Sequence, residues 1–481
     1  EDPEPLQQNI NELANGNRDV LLLTSAHQIV NMLRMAERLN MVDRLRQGLA
    51  STMIASIGPT TSQMLQECDL HVDMEPSHPK MGHLVTEAAQ RCGQFSRQRK
   101  RRLQAASLSE LKPTVAPILE SEQRERHPSE DSLFMKACRG EPTERTPIWL
   151  MRQAGRYMSE YRAVRSNYTF LDLCSDPQAC SEIMCTAVEK LKVDVAIIFS
   201  DLLPILVPMG FHLEFVAGDG PVIHNPIKDV ADVDRVTRLD DPGELGFVYE
   251  TVAQTRADLP EWMPLIGFSG SPFTLASYAI EGGGSRQYTK TKALMHSDPA
   301  AWSALMDKLS HAIVVYLNEQ IVAGAQCVQL FDSWAGCLSP SDYDRFVAPW
   351  MQQILSGVHP GVPVINFATG NPELLPLLRG DSRTVVGVDW RIDLAEAWKR
   401  IGSDKSVQGN MDPAVLLGPR EQIRHTVWDL LESVKGRSGH IFNLGHGVLK
   451  ETKVENAIAL VEDVKELSTR LNEGYAGDGS A

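Results

Sequence analysis

The sequence predicts a (β/α)8 TIM barrel preceded by a smaller α/β unit. After residue 140 the chain contains eight short β-rich runs bounded by Gly, Pro or Asp: PIWLM, DVAIIF, PLIGF, CVQLF, PVINF, TVVGVD, SVQGN and HIFNL. Apolar, helix-compatible segments lie between many of these runs, which is the alternation of a parallel α/β fold. Eight repeats favour a closed barrel, and a doubly wound open sheet remains the structural alternative.

A polar or glycine-bearing residue ends each of the eight runs. In chain order these are Arg152, Asp201, Gly270, Ser333, Gly370, Asp389, Asn410 and His446. A parallel barrel brings the carboxyl ends of its strands to one face, where barrel enzymes carry their active sites. The sequence therefore predicts a functional site at this face.

Two arginines lie in the hexapeptide RQAGRY, directly after the first run. Arg152 and Arg156 are four residues apart and would share a face once the chain turns helical. Guanidinium groups stay charged at physiological pH and fit carboxylates. The pair predicts a binding site for a polyanionic ligand, with a pair of surface salt bridges as the alternative.

Further donors and charges lie near the strand ends. They are Asp201 of FSDLL, Arg165 of YRAVR, Tyr278 of TLASYAIEGGG, Ser333 of LFDSWAG and His446 of NLGHG. The arginines and His446 favour anions, whereas Asp201 favours a cationic or N–H-bearing centre. A ligand with carboxylate arms around a nitrogen-rich core would satisfy both. Taken singly, Asp201 could cap a helix, Tyr278 could be a core ring, and His446 could bond a carbonyl in its turn.

Composition narrows the class of protein. The 481-residue chain has 62 Asp plus Glu against 47 Lys plus Arg, a net charge of -15, so nucleic acid is not an expected partner. Asp201 and two prolines interrupt the best apolar run, so no membrane span is expected. The eight cysteines show no CxxC pair, which indicates reduced thiols and a cytoplasmic location.

The sequence lacks the motifs that are typical of several other enzyme chemistries. No GxSxG motif brackets Ser333, although Ser333, His446 and Asp201 could be drawn as a triad. The EGGGS run at 281–285 is not followed by GK[ST], so nucleotide use is not supported. HxxxH and HExxH patterns are absent, so no metal is expected.

The front of the chain shows a second α/β pattern. VLLLTS, TMIASIGP and HVDM are predicted strands, and QIVNMLRMAERL, TTSQMLQECD and GHLVTEAAQRC are predicted helices. Thr60 and Thr61 follow Gly58-Pro59 and would cap a helix, where backbone N–H groups and hydroxyls could also hold an anion. Residues 96–130 form a charged linker, with five basic residues at positions 97–102.

Several long motifs carry a family resemblance. RQAGRYMSEYRAVR, AIIFSDLLPILVPMG, GFSGSPFTLASYAIEGGGS, QLFDSWAG, GVDWRIDL, VQGNMDP and FNLGHGVL together resemble uroporphyrinogen decarboxylase over about residues 132–471. The resemblance implies a homodimeric (β/α)8 enzyme of tetrapyrrole biosynthesis that uses no cofactor and no metal. It also implies loss of CO2 from the four acetate side chains of uroporphyrinogen III, which gives coproporphyrinogen III.

The same resemblance implies roles for individual residues. Asp201 would accept the pyrrole N–H groups and stabilise a cationic intermediate, and Arg152 would bind a carboxylate at the position of a candidate proton donor. Tyr278 joins these two as a catalytic candidate. The expected substrate contacts are Arg156, Arg165, Phe268, Phe331, Ser333 and His446. Two positions depart from the family pattern, Lys450 where Pro is common and Asn366 where His is common.

Two alternatives accompany this interpretation. Corrinoid methyltransferases, a related barrel family, bind zinc through an HxC pair and a later Cys, but Asn366 and Ala368 occupy the aligned positions and no Cys follows Cys337. A noncatalytic tetrapyrrole-binding protein would keep the arginines and would not need Asp201.

The front unit resembles the later half of uroporphyrinogen-III synthase. VLLLTSAHQIVNML, ASIGPTTSQML and PSHPKMGHLVTEA carry this resemblance, over roughly residues 19–95. It implies Thr60 and Thr61 as substrate contacts and a chain derived from a synthase–decarboxylase fusion, truncated at its amino end. The predicted organisation is a synthase-like domain over 1–95, a linker over 96–130 and the decarboxylase barrel over 131–475.

Overall fold

The chain forms two compact units, Glu1–Lys112 and Pro113–Ala481. The computed structural model describes residues 4–39, 41–49, 52–68, 70–89, 92, 127–216 and 220–478. Each unit has its own hydrophobic core. The basic run at 97–102 and the predicted linker up to residue 126 lie outside the described residues. The last residues assigned to the linker enter a short 3-10 helix, Pro128–Asp131.

The front unit is built on two parallel strands. Strand β1, Val20–Leu23, pairs with β2, Met53–Ser56, as predicted. The helices of the front unit are Glu4–Ala14, Ala26–Arg38, Val42–Leu49, Pro59–Glu67 and a helical stretch over 81–89. The first and third of these helices were not predicted.

The strand predicted over HVDM is wrong. Only a single parallel bridge forms there, between Ala55 and Met74. The carboxylate of Asp73 accepts the backbone N–H of Ile54 at 2.8 Å. Because this side chain takes a donor that a ladder would use, the pairing does not extend into a strand.

Seven parallel strands form one sheet within the described part of the second unit. The strands of the second unit are β3 Ala196–Ile197, β4 Leu213–Val216, β5 Gly220–Ile223, β6 Leu265–Gly270, β7 Cys327–Asp332, β8 Val364–Ala368, β9 Thr384–Gly387, β10 Val407–Gln408 and β11 His440–Ile441. The order of neighbouring strands across the parallel sheet is β11, β10, β9, β8, β7, β6 and β3. β4 and β5 form a separate antiparallel hairpin that was not predicted.

The first predicted run, PIWLM, closes the sheet into a ring. Ile148 forms a parallel bridge with Phe442, just beyond β11. On its other side, the backbone N–H of Asp194 donates to the carbonyl of Ile148 at 2.9 Å, just before β3. All eight predicted runs thus line the barrel, and the (β/α)8 prediction is confirmed.

Helices surround the barrel, and a polar chain crosses its interior. The helices are Leu133–Cys138, Ser159–Arg165, Phe170–Cys174, Pro177–Leu191, Val230–Arg235, Gly246–Asp258, Pro272–Glu281, Thr289–Ser297, Pro299–Val322, Pro340–Phe346, Ala348–Gly357, Leu394–Ile401, Arg420–Ser433 and Val454–Asp478. Inside, Trp149 donates to Gln408 at 2.9 Å, and Gln408 donates to Gln329 at 3.3 Å. These side chains are buried, so the interior is a packed core that supports the loops above it.

None of the helices in the described ranges combines the length and the apolar character needed to cross a membrane.

Candidate active site

The turn after the first barrel segment places Arg152. Residues 152–158 form a turn, and the helix begins only at Ser159. The expected helical i,i+4 relation between Arg152 and Arg156 is therefore wrong. Arg152 takes a left-handed conformation with φ 61°. The buried Gln153 fixes this turn, since its side chain donates to the carbonyl of Val195 at 3.3 Å.

The turn is also tied to the last strand of the ring. Asn443 accepts the backbone N–H of Met151 at 3.0 Å, and the N–H of Val448 donates to the carbonyl of Met151 at 2.9 Å. Gly447 consequently lies against the side chain of Arg152. Arg152 and the turn that carries His446 therefore form one side of the site.

Asp201 follows β3 and is partly buried. Its Oδ1 atom accepts the backbone N–H of Leu203 at 3.0 Å. Burial raises the pKa of Asp201 to about 6, while the nearby amides and the charge of Arg152 oppose this rise. Desolvation outweighs these favourable contacts, so the carboxylate would gain from a ligand that brings N–H donors or positive charge.

Tyr278 lies within electrostatic range of both residues. Burial, reinforced by the charge of Asp201 and opposed by that of Arg152, raises the pKa of Tyr278 to about 12. The hydroxyl is therefore protonated at neutral pH. The ring packs on Trp334 with centroids 3.9 Å apart, which links it to the loop after β7.

His446 lies in the turn after the last strand and is partly buried. The N–H of Gly447 donates to Nδ1 at 2.7 Å. Burial lowers the pKa of His446 to about 4, helped by the charges of Arg152 and Arg391. A neutral imidazole that already accepts at Nδ1 offers Nε2–H as a donor to a ligand.

Arg156 and Arg165 lie near Tyr161. Both act electrostatically on the hydroxyl of Tyr161. Arg165 also lies over the ring of Phe170 at 5.8 Å and donates to the carbonyl of Tyr168. The charges of both Asp201 and Arg165 act on the thiol of Cys174. Arg165 therefore lies in the same region as the carboxylate of Asp201.

The two predicted cleft phenylalanines contact each other. Phe268 and Phe331 form an edge-to-face pair with centroids 5.5 Å apart, and Phe367 extends the row at 6.0 Å. Ser333 follows β7, and its backbone carbonyl accepts the hydroxyl of Thr369 at 2.9 Å. Phe268, Phe331 and Phe367 thus form a row of packed rings on β6, β7 and β8.

The ion pair between Asp389 and Arg391 was not singled out from the sequence. After β9, Asp389 is 5% exposed and accepts the backbone N–H of Gly370 at 2.7 Å and the side chain of Arg391 at 2.5 Å. Asn410 donates to the carbonyl of Asp389 at 2.8 Å. Asp389 therefore ties together the loops after β8, β9 and β10. An arginine two residues beyond a strand-end aspartate was the signal available in the sequence.

The expectation that Thr60 and Thr61 cap a helix is wrong, because the N-cap of the helix Pro59–Glu67 is Gly58. Thr60 and Thr61 belong to the front unit, where Thr60 is exposed and Thr61 is buried. Asn366 is buried, and its amide donates to the carbonyl of Leu378 at 3.0 Å. Across the described ranges, no three His, Cys, Asp or Glu side chains are grouped as metal ligands.

Fold and site together define a class, the (β/α)8 barrel enzymes with a carboxylate and arginines at the carboxyl-terminal face. Residues 129–467 match the family model of uroporphyrinogen decarboxylase, and the chain belongs to that family. Residues 1–86 match the model of uroporphyrinogen-III synthase HemD. Both predicted resemblances are confirmed, and with them the fusion of the two units.

Individual relatives agree with the family model. The uroporphyrinogen decarboxylase of Carboxydothermus hydrogenoformans is 48% identical over 337 residues, which cover 70% of this chain and 96% of the relative. That of Roseiflexus sp. is 47% identical over 344 residues, or 70% and 99%. A methyltransferase from Methanosarcina mazei superposes with a TM-score of 0.59 at 20% identity, covering 70% of this chain and 98% of its own. At that identity the match shows the barrel fold alone.

Proposed function

We propose that this chain removes CO2 from the four acetate side chains of uroporphyrinogen III and releases coproporphyrinogen III. Membership of the decarboxylase family supports this reaction. The structural observation that supports it most directly is Asp201, a partly buried carboxylate in electrostatic contact with Arg152 beside the ends of the barrel strands. No metal or cofactor takes part in the proposed reaction.

The chemistry requires an electron sink. Loss of CO2 from an unactivated acetate would leave its bonding electrons on a methylene carbon without stabilisation. Protonation of the attached pyrrole ring provides the sink, because those electrons then flow into the cationic ring. A second proton delivered to the methylene carbon, with loss of the ring proton, completes the methyl group.

Asp201 is proposed to stabilise this cationic ring. Its carboxylate would accept the pyrrole N–H groups and provide fixed negative charge where positive charge develops. The raised pKa of Asp201 reflects a carboxylate that is poorly solvated without a ligand. The positively charged ring of the intermediate relieves this desolvation penalty more than the neutral ring of the substrate does. The interaction with Asp201 therefore stabilises the intermediate more than it stabilises the bound substrate.

The arginines are proposed to bind the substrate's carboxylates. Arg152, Arg156 and Arg165 provide the charge, and His446, Tyr278 and Ser333 provide neutral donors. A guanidinium is a poor general acid, so we assign Arg152 to charge placement before proton delivery. Phe268 and Phe331 would contact the apolar faces of the macrocycle.

The decisive experiment follows the products of uroporphyrinogen III. The chain is incubated with the substrate without metal or nucleotide, and hepta- through tetracarboxylate products are separated by chromatography. Asp201→Ala should lower kcat at least a hundredfold. Asp404→Ala is the matched control, because that side chain is 64% exposed and pairs with Arg379. Unchanged CO2 release by Asp201→Ala would remove the mechanism and favour a protein that only binds tetrapyrroles.

The front unit is proposed to lack synthase activity on its own. The resemblance implies a substrate held between two α/β domains, whereas the described residues of this unit form one domain around β1 and β2. Thr60, which is exposed, is the stronger candidate contact, because Thr61 is 4% exposed. Feeding hydroxymethylbilane to the chain tests this proposal, and formation of the ring-closed type III product would contradict it.

We also propose a homodimer formed through the barrel, a cytoplasmic location, and domain limits of 1–95, 96–130 and 131–475. The dimer rests on the family resemblance and the location on the pattern of the cysteines, and the limits agree with the matched ranges 1–86 and 129–467. Light scattering tests the dimer. Limited proteolysis should cleave first between residues 96 and 130.

A further inference from the structure

The loop after β9 lies directly against the turn that carries His446. A Cβ atom added at Gly445 would stand 2.3 Å from the backbone nitrogen of Trp390, so only glycine permits this approach. The rings of Trp390 and His446 meet edge to face at 6.1 Å. Arg391, the next residue, is therefore held beside the site by backbone contact.

The guanidinium of Arg391 is anchored on two sides. Its Nη1 atom donates to Asp389 Oδ2 at 2.5 Å, and its Cζ atom lies 4.0 Å from the centroid of Trp390. Asp389 is 5% exposed, yet the side chain of Arg391 remains 44% exposed. Such a fixed, stacked guanidinium loses little conformational entropy when it binds a ligand.

The anchored guanidinium keeps donors for a ligand. A guanidinium has five N–H donors, and within the described part of the chain Asp389 is the acceptor found for this side chain. The charge of Arg391 acts on His446 together with that of Arg152. The two arginines therefore lie near the histidine turn on different loops.

We infer that Arg391 binds a carboxylate of the substrate and contributes to the selection of polycarboxylated macrocycles. This inference rests on the proposed decarboxylation, whose substrate carries eight carboxylates around one ring. Arg152, Arg156 and Arg165 provide three cationic contacts, and Arg391 provides a fourth. The alternative is an ion pair that only holds the loop.

Steady-state kinetics with uroporphyrinogen III distinguish a substrate-binding role of Arg391 from a role that is limited to holding the loop. Arg391→Gln should raise KM about tenfold or more, as expected for loss of a charge-assisted hydrogen bond, and should leave kcat within threefold. Arg379→Gln is the matched control, because that side chain is 41% exposed and pairs with Asp404. Its KM should equal that of the unmodified chain. An unchanged KM for Arg391→Gln, or a fall confined to kcat, would overturn the inference.

A second variant covers the case in which Arg391→Gln fails to fold. Arg391→Lys keeps the charge and the partner Asp389 but loses the planar fork, so its KM should rise about threefold or more. An unchanged KM for Arg391→Lys would then overturn the inference. Inactivity of the unmodified chain would instead reject the decarboxylation, and the two failures are thus distinguishable.

Discussion

Gly447 determines where the side chain of Arg152 lies. A Cβ atom at Gly447 would stand 2.4 Å from Cδ of Arg152 and 2.7 Å from its Cγ. These are side-chain atoms, so a methyl group at this position would displace Arg152 before it disturbed the barrel. A substitution of Gly447 by alanine therefore tests the position of the Arg152 charge separately from the stability of the fold.

Gly447→Ala should lower kcat/KM between about tenfold and a hundredfold, because a displacement of about 1 Å in a binding group has that effect. The midpoint of thermal unfolding should change little. Gly246→Ala is the control, since a Cβ atom there meets nothing within 4 Å. Equal kcat/KM values for Gly447→Ala and the unmodified chain would show that Arg152 need not lie where it does.

Asp201 should make the ligand-free protein less stable at neutral pH. Its pKa is raised from 3.8 to about 6, so between these values the folded state holds a proton that the unfolded state has released. Stability from this group therefore falls as pH rises through that window. Asp201→Asn should raise the free energy of unfolding at pH 7.5 by as much as about 3 kcal/mol, at 1.36 kcal/mol per pKa unit.

The gain from Asp201→Asn should shrink towards pH 4, where the native carboxyl is protonated as well. Unfolding followed by circular dichroism at both pH values measures the difference, and the exposed Asp404→Asn should show none. A loss of stability at pH 7.5 would contradict the raised pKa. In the active protein, kcat/KM should fall below about pH 6 as Asp201 takes up a proton.

The hydroxyl of Tyr278 should act in catalysis or binding without supporting the fold. Tyr278→Phe keeps the ring on Trp334, at 3.9 Å in the native chain, and removes one donor. We expect kcat/KM to fall about tenfold with no change in melting temperature. Tyr249→Phe is the control, because that hydroxyl is buried without a hydrogen-bond partner in the described residues. Equal effects of the two variants would argue against a role for Tyr278.

Asp194 should be a main support of barrel closure. It accepts both terminal nitrogens of Arg145, at 2.8 and 2.6 Å, and the backbone N–H of Ile148 at 2.8 Å. Asp194→Ala leaves Arg145 largely buried without its partner, and we expect a loss of about 3–5 kcal/mol in the free energy of unfolding. Urea denaturation measures it. Glu396→Ala, which removes a solvent-exposed pair with Arg400, should leave stability within experimental error; a similarly small loss for Asp194→Ala would contradict its role in closure.

The barrel was predictable because its signals are local. Each of the eight runs is a short β-rich stretch between turn residues, and a parallel arrangement brings their carboxyl ends to one face. This arrangement was enough to predict that Arg152, Asp201 and His446 lie in one cluster. The strand predicted over HVDM failed, because the carboxylate of Asp73 competes with the ladder for a backbone donor, and periodicity carries no information about that competition.

Sequence alone thus determined the order of the strands, the two families that the chain resembles, and the residue types at the strand ends. Tertiary structure decided the turn conformation of Arg152, the raised pKa of Asp201, and the contact that holds Arg391 beside His446. These depend on desolvation and on backbone approach between segments far apart in the chain. Both are set by neighbours in space, which a linear pattern of residues does not specify.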